Sequence, residues 1–213
     1  MKLKNFLISS MLILSLVLFI GCASDGSSKT SNVPDATKGE PQWWLNMKGP
    51  AYQVLVYSFA DSDGDGFGDF QGLISKLDYL NDGNPDTTTD LGVELLWLSP
   101  IHPAASYHGY DVKDYMAVNP QYGTMADFEQ LILECANRNI KVILDLVFNH
   151  SSTSHPWFEA MLADPASKYN NYYIHKDASI NYGTGGMGSF HPAYGENGKI
   201  EYFGAFSPTM PDL

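Results

Sequence analysis

Three apolar, β-branched runs separated by two amphipathic helical patterns constrain this chain more than any other feature. The runs are Tyr52 to Phe59, Val93 to Leu98 and Lys141 to Phe148. Between the first two, Phe70, Leu73, Ile74, Leu77 and Leu80 fall on one helical face, and Asn81, Asp82 and Gly83 supply its stop signal. Before the third, Thr124 reads as an N-cap with Asp127 three residues on, and Phe128, Leu131, Ile132 and Cys135 line the helix that follows. Strand-helix-strand-helix-strand predicts an α/β fold with a parallel sheet and crossover helices. Uninterrupted apolar strands predict a sheet covered on both faces. The pattern alone leaves a barrel and a doubly wound open sheet both open. No Gly-x-Gly-x-x-Gly and no P-loop follows a strand, so nucleotide binding finds no support.

In either architecture the active site lies at the carboxyl ends of the strands. That rule singles out Asp61 to Asp69, Ser99 to Asp111 and Asp145 to His150. The first segment, Asp61-Ser62-Asp63-Gly64-Asp65-Gly66-Phe67-Gly68-Asp69, sets carboxylates at alternate positions with glycines between them. Hard divalent cations want six to eight oxygens on a tightly curved backbone. Asp61, Asp63, Asp65 and Asp69 would supply carboxylates and Phe67 its carbonyl, and calcium suits many ligands from one flexible segment better than magnesium does. Gly72 stands where a helix-loop-helix calcium loop carries Glu, and a strand precedes the loop, so only the coordination logic is shared. The alternative is a solvated acidic turn.

The ends of the chain and its charge narrow the setting. Lys2 and Lys4 precede an apolar stretch from Phe6 to Ile20, which has the form of a secretory signal peptide, 1–21. Gly21-Cys22 resembles the cleavage box of bacterial lipoproteins, although Phe19 and Ile20 replace the usual Leu and small residue; Cys22 would then carry the lipid. Ordinary cleavage near Ala23 is the alternative. Residues 22–41 are rich in Ser, Asp, Gly, Thr and Lys and read as a flexible, lipid-anchored tether. The expected location is the extracytoplasmic side of a membrane, in a secreted protein. With Cys22 acylated, Cys135 has no disulfide partner and is expected in the core. The net charge of −12 argues against nucleic acid as a partner, because phosphate neutralisation needs a basic face.

The second and third segments carry a resemblance to a known family. His108-Gly109-Tyr110-Asp111 follows the second strand, and Asp145-Leu146-Val147-Phe148-Asn149-His150 ends the third. Trp43-Trp44, the acidic loop, Gly92 to Pro100, Asn119-Pro120-Gln121-Tyr122-Gly123-Thr124 and Met210-Pro211-Asp212-Leu213 complete the set, in shared order and spacing. Together they resemble the α-amylase family of glycoside hydrolases, which are (β/α)8 TIM barrels. The resemblance implies an α/β fold: residues 42–150 are the N-terminal part of the barrel, about three βα units. It implies that 151–213, which breaks the strand-helix rhythm, begins a domain inserted after strand three.

The same resemblance assigns roles. Tyr110 would stack on the sugar beside the scissile bond, and Asp111 and His150 would hydrogen-bond that sugar. Asp145 would orient other groups, and Asn149 and Asp212 would hold a second calcium. His102, His155, His175 and His191 show no ligand spacing and are expected in loops. Retaining glycosidases need two carboxyl groups about 5–5.5 Å apart, and in this family they come from later strands. None of the chain's 24 acids matches those roles. A (β/α)8 barrel needs about 250 residues, so the 213 residues are expected to be a fragment, inactive alone, of a retaining α-glucan hydrolase acting on starch or maltooligosaccharides. An oligo-1,6-glucosidase, a neopullulanase or a transglycosylase of the family is an alternative. Further alternatives are a non-catalytic glucan-binding or assembly protein on the same fold and an independently folded calcium- and glucan-binding lipoprotein.

Overall fold

A computed structural model describes residues 43–164, 166–179, 181, 187–196 and 198–213. The expected signal peptide, the tether and Cys22 lie outside the described residues. Three short strands, β1 (Ala51–Val54), β2 (Leu95–Leu98) and β3 (Lys141–Leu144), form a parallel sheet in that order. Helices α1 (Phe70–Ser75) and α2 (Leu77–Leu80) connect the first pair, and α3 (Met125–Asn137) the second.

Each strand is shorter than its apolar run. After Val54 the chain turns into a 3-10 helix, Val56–Ser58, and beyond Leu144 no strand continues toward Phe148. The predicted single helix after β1 is broken at Lys76, yet Phe70, Leu73, Leu77 and Leu80 are all buried on one side. The helix α3 begins as its sequence demands. Thr124 Oγ1 accepts from Asp127 N–H, and the Asp127 carboxylate accepts from Thr124 N–H at 2.7 Å, a capping box.

Among the described residues one face of the sheet is covered, whereas the sequence pattern predicts cover on both. Register places Tyr52, Leu96 and Val142 side by side, and Val54, Leu98 and Leu144 one step on. These six pack with Phe70, Leu73, Leu131 and Cys135 in one core. The intervening row, Gln53, Trp97 and Ile143, points the other way and is exposed. Side chains alternate across a strand, so the apolar residues of that row line a surface that nothing described here covers.

Residues 151–213 build a second core. Helix α4 (Pro156–Ala163) and an antiparallel hairpin, β4 (Ser189–Gly195) and β5 (Gly198–Gly204), bury Phe158, Met161, Tyr173 and Tyr202 together. The hairpin confirms a break in the strand-helix rhythm. Of the histidines expected in loops, His191 lies instead in β4, whereas His155 sits in the bend before α4 and caps that helix by accepting from Trp157 N–H at 3.1 Å. His175 bridges to Tyr202, while His102 lies in a loop with Nδ1 2.8 Å from the Ala117 carbonyl.

Candidate functional site

The parallel sheet brings its three carboxyl ends to one edge, and each carries one of the segments singled out by sequence. After β1 the acidic loop folds on itself. Asp61 accepts from the N–H groups of Asp63, Gly64 and Gly66 at 2.7–3.1 Å. Asp63 accepts from Asp65 N–H, and Asp65 from Phe67 N–H. Oxygens of Asp61, Asp63 and Asp65 lie within 4.8 Å of one another, all exposed. The donated bonds, from Gly64 first and Gly66 next, hold Asp61 below the usual carboxylate range. Three carboxylate oxygens grouped on a curved backbone are the donor type that a hard divalent cation takes.

Asp69 has a different place. It is the N-cap of α1, accepting from Gly72 N–H at 2.6 Å and from Ser62 N–H and Oγ–H at 2.8 Å. Burial pushes its pKa upward, but the bonds from Ser62 and Gly72 outweigh this and leave it lowered. Asp69 therefore closes the loop onto the helix, while Asp61, Asp63 and Asp65 cluster.

The loop after β2 folds back by an antiparallel bridge between Ala104 and Val112. Its turn presents His108 and Tyr110. The Tyr110 hydroxyl donates to Asp145, just past the end of β3, at 2.5 Å. That bond, with burial second, pushes the Tyr110 pKa up to about 12. His150 Nε2 lies 3.1 Å from the Tyr110 carbonyl, and its Nδ1 lies 3.3 Å from the Asn149 amide. Burial lowers the His150 pKa, although the Tyr110 carbonyl, Asp212 and Asp111 work against it. His108, Tyr110, His150, Phe206 and Met210 line a cavity of about 330 Å³.

The structure thus joins Tyr110 to Asp145 and to His150, which lie 35 and 40 residues further along the chain. Asp111 is buried beside them but turned to its own loop, accepting from Ser106 N–H at 3.0 Å and Ser106 Oγ–H at 2.6 Å. Asn149 and Asp212 are adjacent: His150 and Asp212 form a bridge, Leu213 N–H donates to the Asn149 carbonyl, and Asp212 accepts from Ala205 N–H. Phe206, which no sequence motif marks, is a further wall of the cavity. Its ring lies 5.3 Å from that of His150, and no local pattern distinguishes it from any other aromatic. Met210 sits inside a motif that sequence reading did single out.

A ring path ties the two loops together. Phe67 lies 5.1 Å from Tyr57, Tyr57 lies 5.8 Å from Tyr107, Tyr107 lies 5.5 Å from His108, and His108 lies 5.9 Å from Tyr110.

Fold and site define an α/β protein that carries an aromatic pocket and an acidic loop at the carboxyl edge of a parallel sheet. The family description "Alpha amylase, catalytic domain" matches residues 53–213. The chain is 46% identical over 183 residues to the α-amylase SusG of Bacteroides thetaiotaomicron, covering 80% of this chain and 25% of that protein. It is 38% identical over 180 residues to an oligo-1,6-glucosidase of Bacillus cereus, covering 82% and 30%. Among solved structures, an α-amylase from H. orenii aligns with a TM-score of 0.70 at 47% identity, over 78% of this chain and 34% of that one. The chain belongs to the α-amylase family. It spans about a quarter to a third of the length of these relatives, and its open sheet is the N-terminal part of their TIM barrel.

Proposed function

We propose that this chain is part of a retaining α-glucan hydrolase, an α-amylase acting on starch or maltooligosaccharides. The observation that carries the reading is the pocket at the strand ends, where Tyr110, held by Asp145, meets a buried His150. An aromatic face suits the apolar face of a sugar ring, and fixed polar groups select its hydroxyls. The Tyr110–Asp145 bond sets the tilt of the stacking ring. Burial keeps His150 neutral near pH 7, so one ring nitrogen donates and the other accepts. Asp111, pinned by Ser106, supports the same seat from behind.

The nucleophile and the acid/base belong to parts of the barrel that these residues do not supply. The 213-residue polypeptide by itself is therefore proposed to be inactive. Calcium is the proposed ion at Asp61, Asp63 and Asp65, with the Phe67 carbonyl and Asp69 completing or bracing the loop. Its charge would relieve the repulsion among three carboxylates. Asn149 and Asp212, brought together by the His150–Asp212 bridge, are the proposed second site. The protein is proposed to be secreted and held on the extracytoplasmic side by a lipid on Cys22. Each buried methylene of such a chain contributes roughly 0.8 kcal/mol.

The likeness to an oligo-1,6-glucosidase supports one second reading, α-1,6 preference. The test is release of reducing ends from soluble starch, maltotriose and isomaltotriose by the parent protein and by residues 23–213. Turnover of starch by the parent alone is expected. Activity confined to isomaltotriose would move the assignment to the second reading, and turnover by 23–213 would overturn the inactivity of the piece.

A further inference from the structure

We propose that Tyr115 is a positioning residue that sets His150 in the sugar pocket and links it to α4; this rests on the function proposed above. The argument begins with the backbone around His150. In the antiparallel bridge between His150 and Asp212, the flanking groups make the bonds. Leu213 N–H donates to the Asn149 carbonyl at 2.8 Å, and Ser151 N–H donates to the Pro211 carbonyl at 3.1 Å. The carbonyl of His150 itself takes no part in that ladder. His150 is 4% exposed, so this oxygen needs a protein partner.

Tyr115 supplies it, donating its hydroxyl at 2.6 Å across 35 residues of sequence. A second bond clamps the same strip, from Ser152 N–H to the Val112 carbonyl at 2.8 Å. The segment from Val112 to Tyr115 therefore grips residues 150–152 at two points. The Tyr115 ring is in turn wedged among His102, His155 and Trp157, with centroids at 5.5–6.0 Å. Two of these belong to the cap and first turn of α4. A shift of α4 would reach His150 through the Tyr115 ring and then its hydroxyl.

Tyr115 does not line the cavity, so its influence on substrate passes through the His150 peptide. Removing the hydroxyl leaves a buried carbonyl orphaned. The peptide is then expected to rotate toward another donor and to carry the imidazole off the Tyr110 carbonyl.

The experiment is a double-mutant cycle in the parent protein, with Tyr115→Phe, His150→Ala and the pair, on maltoheptaose, at a temperature where all four are folded by circular dichroism. Tyr115→Phe is expected to lower kcat/KM by roughly tenfold, mostly through KM, and to have less than about a twofold effect in the His150→Ala background. An equal loss in both backgrounds, or none in the first, overturns the proposal. If the wild-type parent turns over no glucan, the functional reading fails and this one is still decided. Tyr115→Phe must then shift the His150 imidazole proton resonances while leaving those of His191 in place; unmoved His150 resonances sink it.

Discussion

The acidic loop and the ring pocket stand at the same edge of the sheet but are built in opposite ways. In the loop, the hydrogen bonds to carboxylates join residues two to seven apart, such as Asp65 N–H to Asp63 and Ser62 to Asp69. In the pocket the bonds that bring its walls together join residues 35 and 40 apart, Tyr110 to Asp145 and His150 to Tyr110. The clustered carboxylates of Asp61, Asp63 and Asp65 are exposed, whereas His150 and Asp111 are buried. A local site is set by its own turn chemistry. A long-range site is set by whatever fixes the strand ends, so damage to it is felt in packing as well as in binding.

Two glycines with similar backbone angles offer the strongest test of this contrast. Gly109 has φ of +80°, and a Cβ there would lie 2.8 Å from the Pro100 carbonyl. Gly109→Ala is expected to cost about 3 kcal/mol, from left-handed strain plus the clash. Gly64 has φ of +85° with open space around it, so Gly64→Ala should cost only about 1 kcal/mol. Denaturant unfolding of the two variants measures both, and equal losses would erase the distinction. Next in size is Tyr110→Phe, which leaves Asp145 without its donor and should cost about 1.5 kcal/mol. The parent's turnover of maltoheptaose should fall with it.

The loop itself is tested by calcium. Chelation is expected to lower the melting temperature of the wild type, and Asp61→Asn to abolish that response while changing the chelated melting temperature little. A large shift in the chelated protein would show that the loop is not self-contained.

The smallest effect concerns pH and lies on the pocket's far side, at the cap of α4. Burial lowers the His155 pKa, opposed by Asp114 and Glu159, with the Tyr115 and Trp157 rings packed against it. In the unfolded chain this group binds its proton near the ordinary value of 6.5, so the unfolded state holds more protons just below that pH. Stability is then present above 6.5 and lost as pH falls from there through the lowered folded value. His155→Asn keeps a capping side chain without the titration. The wild type's stability relative to this variant should decline from pH 7 to 5; a constant difference would remove His155 from the account.

The comparison also marks what could be read from sequence. Alternating carboxylates and glycines spelled out the acidic cluster because its partners are neighbours. Thr124 and Asp127 announced the capping box for the same reason. The strand cores were legible, but their ends were not: Val56–Ser58 turns into a 3-10 helix although its residues suit a strand. Asp69 shared the pattern of the cation loop, yet its position before α1 made it a cap. His155 lies in a loop as its sequence suggests, but nothing local shows that its side chain accepts from Trp157 N–H and caps α4. Phe206 was invisible as a pocket wall, since its neighbour His150 is 56 positions away in sequence.

By itself, then, the sequence determined the strand-helix alternation, the buried stripe of each helix, the acidic loop and the family motifs. The first three rest on periodicity and on bonds between near neighbours, and the motifs on resemblance to the family. Only the tertiary structure decided which row of the strands packs against the helices, and that Tyr110 leans on Asp145. It alone placed the Tyr115 hydroxyl beneath the His150 carbonyl. Those outcomes follow from parallel register, which brings distant strand ends to one edge and leaves each buried polar group to find its partner there.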